Sequence, residues 1–370
     1  MPAISLLECS RCQQHVSAAT AQTVCPSCSA PLLVRYDLKK TAKRPGPDAP
    51  SSIWRYAGVL PDVAPVSLGE GWTPLLPSRR YPALFVKEEA HNPMGSFKAR
   101  GMSVAISMAR HYGLKKLAIA SAGNAASALA AYAASAGIDA HIFMPRNAAT
   151  ANYLEANAHG AHVELIDGSL ADCRRILAQR QAAEGWFDLS SLNEPFRLEG
   201  DKTIVCELVE QLGWTYPDAL VFPTTAALLG IWKAFDEMEQ LGWVSGKRPK
   251  IVESSGGAPL PDGPKSVIPE ILRASGGTLL DLPPEAIHTS LLDWARHEGL
   301  LLCPEGAAAA AGYAQLIDTG SLRPTDRVVL LNPASGLKYI DTLAEALHLN
   351  RPAAKHYPQR TPVGGIITPQ

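Results

Sequence analysis

Two sets of residues in this chain have types and spacings that point to chemistry. The first is Cys9, Cys12, Cys25 and Cys28, which read C-x2-C, twelve intervening residues, then C-x2-C. Two knuckles of this spacing donate four thiolates to one tetrahedral Zn²⁺. A pair of disulfides is the alternative, which a cytosolic setting disfavours. Cys173, Cys206 and Cys303 are scattered and are expected to be inert core residues. The second set lies in three strand-to-helix turns. In AHNPMGSFKARG (90–101), Asn92-Pro93 with Gly95 makes a turn, Ser96 caps the helix that follows, and Lys98 falls in its first turn. The positive end of the helix dipole repels an ammonium there and favours a free amine able to form a Schiff base. Taken alone, Lys98 also reads as a solvated surface lysine. In SAGNAASALAAYAA (121–134), Asn124 opens a helix at a strand's carboxyl end. It is placed to meet a ring oxygen beside N–H groups that suit an anion, or to cap the helix. In VFPTTAALLGIWKAFDEME (221–239), the turn Thr224-Thr225-Ala226-Ala227-Leu228 stands where phosphate groups of cofactors bind, but it lacks the glycines such loops use.

The elements that must hold these residues alternate. Strand candidates are ALFVKEE (83–89), KLAIAS (116–121), AHIFMP (140–145), HVELID (162–167), DALVFP (218–223), PKIVES (249–254) and DRVVLLN (326–332). Seven helical stretches, many ending in glycine, lie near or between them: 96–113, 124–137, 149–160, 169–185, 203–213, 229–242 and 307–320. This alternation predicts an α/β protein with largely parallel sheets covered on both faces, whose ligands sit beyond the strands' carboxyl ends. Residues 1–38 form a ribbon closed by the strand PLLVRYDL, 39–52 a linker, 53–350 the core, and 351–370 an irregular tail. The formal net charge of −1 provides no global field to collect nucleic acid or anionic membrane. No apolar run approaches the roughly 20 residues of a membrane span and no signal peptide is visible, so the cytoplasm is the expected location.

Taken together, several stretches identify a resemblance: the ribbon closing in PLLVRYDL, GEGWTPL (69–75), NPMGSFKARG, SAGNAASALAAYAA, SLNEPFRLEGDKT (191–203), GIWKAFDEME (230–239), PEGAAAAAG (304–312) and SGLKY (335–339). In that order they resemble threonine synthase and its relatives, pyridoxal-phosphate-dependent enzymes of the tryptophan synthase β-like fold (fold type II). The resemblance implies two open α/β domains, the smaller over about 102–190, plus the small N-terminal zinc ribbon. It implies that Lys98 is the Schiff-base lysine and that Asn124 contacts the cofactor's 3-hydroxyl. Thr224, Thr225, Ala226, Ala227 and Ser335 then stand in cofactor-binding positions. Asn193 and Arg197 would line the pocket for a substrate phosphate, a role that suits the planar guanidinium. Thr73, Ser96 and Ser121 fall in segments on the substrate side. A homodimer is the assembly such a fold implies.

The chain departs from that family at the cofactor. Relatives carry a run like T-G-G-G-T-G where this chain has 224–228. They read N-T-G-S-G where it has NPASG (332–336), so Pro333 replaces the threonine that pairs with the pyridine nitrogen. Several tens of residues found in relatives after the strand at 249–254 are missing. Three functions compete on this basis. The first is a lyase or synthase performing β- or γ-elimination or replacement on a small, possibly O-phosphorylated amino acid. The second is a paralogue that has lost the cofactor and binds a ligand in the old cleft. The third is a nucleic-acid binder built on the ribbon with Arg11, Arg35, Lys39 and Lys40, which lacks an aromatic stacking platform.

Overall fold

The fold is that of a computed structural model, which describes residues 4–38, 43–223, 226–256 and 267–349. Thr224, Thr225, Lys39, Lys40 and the tail lie outside the described residues. The ribbon is a three-stranded antiparallel sheet of β1 (Ile4–Cys9), β2 (His15–Val16) and β3 (Leu32–Tyr36), in the order β2-β1-β3. After it come β4 (Leu75–Pro77), β5 (Leu84–Glu88), α1 (Lys98–His111), β6 (Lys116–Ala120), α2 (Asn124–Ala136), β7 (Asp139–Pro145) and α3 (Thr150–Ala158). The chain continues with β8 (His162–Ile166), α4 (Leu170–Glu184), β9 (Phe187–Asp188), α5 (Phe196–Asp201), α6 (Thr203–Gln211), β10 (Ala219–Pro223) and α7 (Ala227–Gln240). It ends with β11 (Lys250–Ser255), α8 (Ile268–Ser275), β12 (Thr278–Asp281), α9 (Pro284–His297), α10 (Pro304–Asp318), β13 (Val328–Asn332) and α11 (Ile340–Ala346).

Two parallel sheets result, as the alternation predicts. The larger runs β12-β11-β10-β13-β5-β4, with β4 antiparallel at its edge; the smaller runs β8-β7-β6-β9. Every residue of β10 and β13 is buried, as expected for strands covered on both faces. Each predicted strand lies within a residue or two of its observed counterpart. Helices α5, α8, α9 and α11 and strand β12 are additions that the sequence reading did not propose.

Three glycines let helices approach closely enough to shape the site. A Cβ on Gly200 of α5 would lie 2.0 Å from the Arg100 carbonyl oxygen of α1, and one on Gly230 of α7 would lie 2.6 Å from the Leu198 carbonyl oxygen. One on Gly101 of α1 would meet Asp201 Oδ1 at 2.8 Å. No other residue type fits at Gly200 without moving backbone. The ribbon packs on the back of these helices: Leu7, Leu32 and Val34 share a core cluster with Val104, Met108 and Phe196. Tyr36 donates its hydroxyl to Glu199 at 2.6 Å. Arg35 is paired with Glu8 at 3.0 Å, which removes one member of the proposed basic cluster. Among the described residues no helix is long and apolar enough to cross a membrane.

Candidate active site

β5, β13 and β10 are adjacent in the large sheet, and their carboxyl ends carry three of the segments singled out above. After β5 the chain turns through Met94 and Gly95, both left-handed (φ 57° and 59°). It then runs alongside the segment after β13. Phe97 N donates to the Pro333 carbonyl at 3.0 Å, Ser335 N to the Gly95 carbonyl at 2.9 Å, and Ser96 bridges to Ala334. Pro333 has no N–H to offer, but this pairing uses only its carbonyl. Ser96 is extended and buried; the N-cap of α1 is Phe97 rather than the expected Ser96, but Ser96 Oγ still accepts the Lys98 N–H at 3.2 Å, and Lys98 sits in the first turn.

Lys98 Nζ lies 3.9 Å from the centre of the Phe97 ring, and among the described residues it has no hydrogen bond or ion pair. Burial pulls its pKa from 10.5 down to about 8; Asp201 and Glu305 oppose this and Arg197 adds to it. A far larger share of the amine is therefore neutral at ordinary pH than for the solvated surface lysine of the plainer reading.

Asn124 reaches the same place from β6 of the small sheet. It is the first residue of α2 and Gly123 is the cap residue, so the capping reading of Asn124 is corrected. Its Nδ2 donates to the Tyr339 hydroxyl at 2.9 Å, and Tyr339 donates to Glu305 Oε1 at 3.3 Å. Its Oδ1 is buried with no hydrogen-bond partner. Whichever way the amide is turned, one polar end is left for a ligand. Tyr339 and Glu305 were missed as site residues, although both lie in stretches the sequence singled out.

Asn193 and Arg197 follow β9. Asn193 donates to Asp188 Oδ2 at 2.7 Å. Arg197 is buried, and its Nη1 donates to the Leu189 carbonyl at 2.8 Å, but among the described residues no carboxylate lies within ion-pair distance of it. Burial depresses its pKa, while Asp201, Glu194 and Asp188 oppose that at longer range. Glu194 instead accepts the backbone N–H groups of Phe196 and Arg197, each at 2.8 Å. A buried guanidinium with this little engagement has donors left over of the kind that suit an anion.

The remaining predicted residues are placed as follows. Ser121 accepts Gly123 N–H at 3.3 Å at the end of β6. Ser335 accepts Leu337 N–H at 3.3 Å and caps a short turn. Ala226 leads into α7 without a side-chain cap, and Ala227 is buried in the core. Thr73 is held in a buried network, its Oγ1 on Glu89 at 2.7 Å and Glu207 at 3.2 Å, so its hydroxyl is already engaged. In the ribbon, the sulfurs of Cys9, Cys12, Cys25 and Cys28 lie within 4.8 Å of one another. Close pairs at 3.4 and 3.6 Å match the roughly 3.8 Å sulfur spacing of a tetrahedral site with metal–sulfur bonds of about 2.3 Å. All four are free thiols, which corrects the disulfide alternative. Cys173, Cys206 and Cys303 are buried, as expected of core residues.

Residues 66–334 match the profile of a family described as pyridoxal-phosphate dependent enzyme. The chain is 32% identical to a threonine synthase of Methanosarcina acetivorans over 381 residues, covering 92% of this chain and 93% of that one. It is 33% identical to a threonine synthase of Mycobacterium tuberculosis over 325 residues, covering 79% and 90%. Among solved structures, a fungal L-serine ammonia-lyase from Rhizomucor miehei superposes with a TM-score of 0.63 at 19% identity, over 75% of this chain and 97% of that one. An O-ureido-L-serine synthase superposes with a TM-score of 0.62 at 20% identity, over 74% and 92%. At these identities the structural matches speak for the fold.

Proposed function

The chain belongs to the pyridoxal-phosphate dependent enzyme family, as a threonine synthase-like lyase or synthase of fold type II, and on that premise we propose that it performs β- or γ-elimination or replacement on a small O-phosphorylated amino acid. One observation carries this reading. A partly buried, unpaired amine at Lys98 shares its surroundings with a buried guanidinium at Arg197 that no carboxylate neutralises at close range.

The residues present fit pyridoxal phosphate where the structure allows a test. Lys98 offers a free amine for the aldehyde, and the orphaned amide oxygen of Asn124 marks a polar position awaiting a partner such as the 3-hydroxyl. The first turn of α7, with the hydroxyls of Thr224 and Thr225 in place of glycines, would take the cofactor phosphate. When bound, the cofactor supplies an electron sink for charge developing at the substrate's Cα. Lys98 Nζ would carry protons to and from Cα and Cβ. Arg197, with Asn193 beside it, would clamp the substrate phosphate and orient it as leaving group. Ser121 and Ser96 stand on the substrate side. Pro333 offers the ring nitrogen no donor, which favours elimination over racemisation or transamination. Phosphate release from O-phosphohomoserine and O-phosphoserine, measured with the cofactor present, tests the assignment. Release from one of them that a Lys98→Ala chain lacks is expected; no release from either would sink it.

Covalent capture should follow the amine's protonation. Because only the neutral amine reacts, borohydride-trapped attachment of pyridoxal phosphate to Lys98 is expected to rise with pH through a midpoint near 8. A midpoint near the ordinary 10.5 would show that the amine is not in the surroundings described.

We also infer that the four ribbon thiolates hold one structural Zn²⁺. Its loss should release the ribbon from α1 and α5, because so short a sheet has little core of its own. Purified chain is expected to contain about one zinc per chain, and Cys25→Ser to contain none and to melt at lower temperature. A metal-free wild-type chain with unchanged melting would contradict it. A homodimer remains the proposed assembly.

A further inference from the structure

Asp201 ends α5 and is 3% exposed, and its Oδ1 has no hydrogen-bond partner. Among the described residues no cation stands within ion-pair distance of it. A carboxyl buried this deeply without a partner is costly, and it invites an explanation in function. Its position supplies one. Lys98 and Gly101 are three residues apart and share one face of α1; Arg197 and Asp201 are four apart and share one face of α5. The two faces meet because residue 101 is glycine: a Cβ there would lie 2.8 Å from Asp201 Oδ1 and 3.0 Å from the Arg197 carbonyl oxygen. Asp201 is thus held against α1 at Gly101, about one turn along from Lys98 on α1 and from Arg197 on α5, and bonds neither side chain.

The charged groups facing it are Lys98 and Arg100 from α1, Arg197 from its own helix, and Glu89 from the turn after β5. Burial raises the affinity of Asp201 for a proton, and the three cations restrain it. Conversely, Asp201 is the acid acting most strongly on Arg197, ahead of Glu194 and Asp188, and on Lys98, ahead of Glu305. An oxyanion arriving at Arg197 brings a second negative charge near the buried carboxylate and takes up the guanidinium that had steadied it.

We propose that Asp201 is a charge gate for the substrate's phosphate: its carboxylate takes up one proton when an oxyanion occupies Arg197, so that the site never holds both negative charges. The step is –COO⁻ plus H⁺ giving –COOH, with the proton drawn from solvent. Lys98 then lies near a neutral acid in place of the carboxylate that had steadied its ammonium. The inference rests on the reading of Arg197 as the phosphate clamp.

Sulfate is the probe of choice, because it stays doubly charged from pH 5 to 9 and its own titration cannot mimic that of the protein. Calorimetry of sulfate binding to the full chain, in buffers of different ionisation enthalpy, counts the protons taken up. The wild-type chain is expected to bind more weakly as pH rises and to take up a proton at low pH, below the titration of Lys98. Asp201→Asn, which preserves shape, is expected to bind about tenfold more tightly at pH 8 and to show no uptake. Arg197→Met is expected not to bind. Equal binding by the wild-type and Arg197→Met chains, or none by the wild-type and Asp201→Asn chains, would refute the clamp itself. Binding that needs Arg197 but involves no proton uptake, with Asp201→Asn within twofold of wild type, would overturn the gate and leave the clamp standing. The proton count on the wild-type chain decides the matter even if the variant does not fold.

Discussion

Lys98→Ala is expected to lower turnover of the phosphorylated substrate by about a thousandfold or more while leaving the fold intact. The side chain makes no hydrogen bond or ion pair among the described residues, so its removal breaks little beyond contact with the Phe97 ring. On the proposed reading it removes the amine that would attach the cofactor and move protons, and proton transfer alone accounts for about 10²–10⁴-fold in rate. Urea unfolding of the variant should therefore match wild type to within about 1 kcal/mol. Turnover within tenfold of wild type would mean that another group does this work.

Glu207→Ala is expected to have the opposite profile, destabilising the whole chain by about 3–5 kcal/mol, a large part of the roughly 5–15 kcal/mol typical of a domain. Its fully buried carboxylate accepts Trp72 N–H at 2.6 Å, Thr73 N–H at 2.7 Å and Arg100 Nη1 at 2.9 Å, and it pairs with the buried Lys87 ammonium. Burial pushes the carboxyl's pKa up, but Arg100 and then Lys87 outweigh it and hold it down at about 2. Lys87 is itself pulled down by burial, whereas Arg100 is held charged, so Arg100 is the network's fixed cation. Removing Glu207 leaves a guanidinium without one of its two carboxylates and frees the Trp72–Thr73 loop, where Trp72 holds a left-handed φ of 50°. The stability the carboxylate supplies is complete above its ordinary 4.5 and is lost as pH falls through about 2. A loss below about 1 kcal/mol on urea unfolding would show the network to be dispensable.

The fold and much of the candidate site were legible in the sequence because their signals are local. Buried parallel strands write themselves as apolar runs such as ALVFP, and a cap and turn such as N-P-M-G-S place Lys98 within a single helical turn. The cysteine knuckles carry their own spacing. What escaped depends on contacts between distant segments. Helix α5 is only 6 residues long and contains Gly200, which argue against a helix until one sees that Arg100 leaves room for nothing larger than glycine at 200. Helix α9 opens on Pro283-Pro284 and buries only Leu291 and Trp294, too few for a clear apolar stripe. Thr73 read as a substrate residue because its partners Glu89 and Glu207 are brought to it only by the fold. Asp201 had no signal of its own; only the apposed faces of α1 and α5 make it notable.

Pro333 and the glycine-free turn at 224–228 make cofactor attachment the point on which everything else turns. The most direct measurement is the absorption spectrum of the purified wild-type chain with added pyridoxal phosphate, followed by borohydride reduction and peptide mapping. A violet-region band, fixed by reduction onto Lys98, is the predicted result. A chain that stays colourless and unmodified at Lys98 would contradict it and would mean that the cleft serves a different ligand.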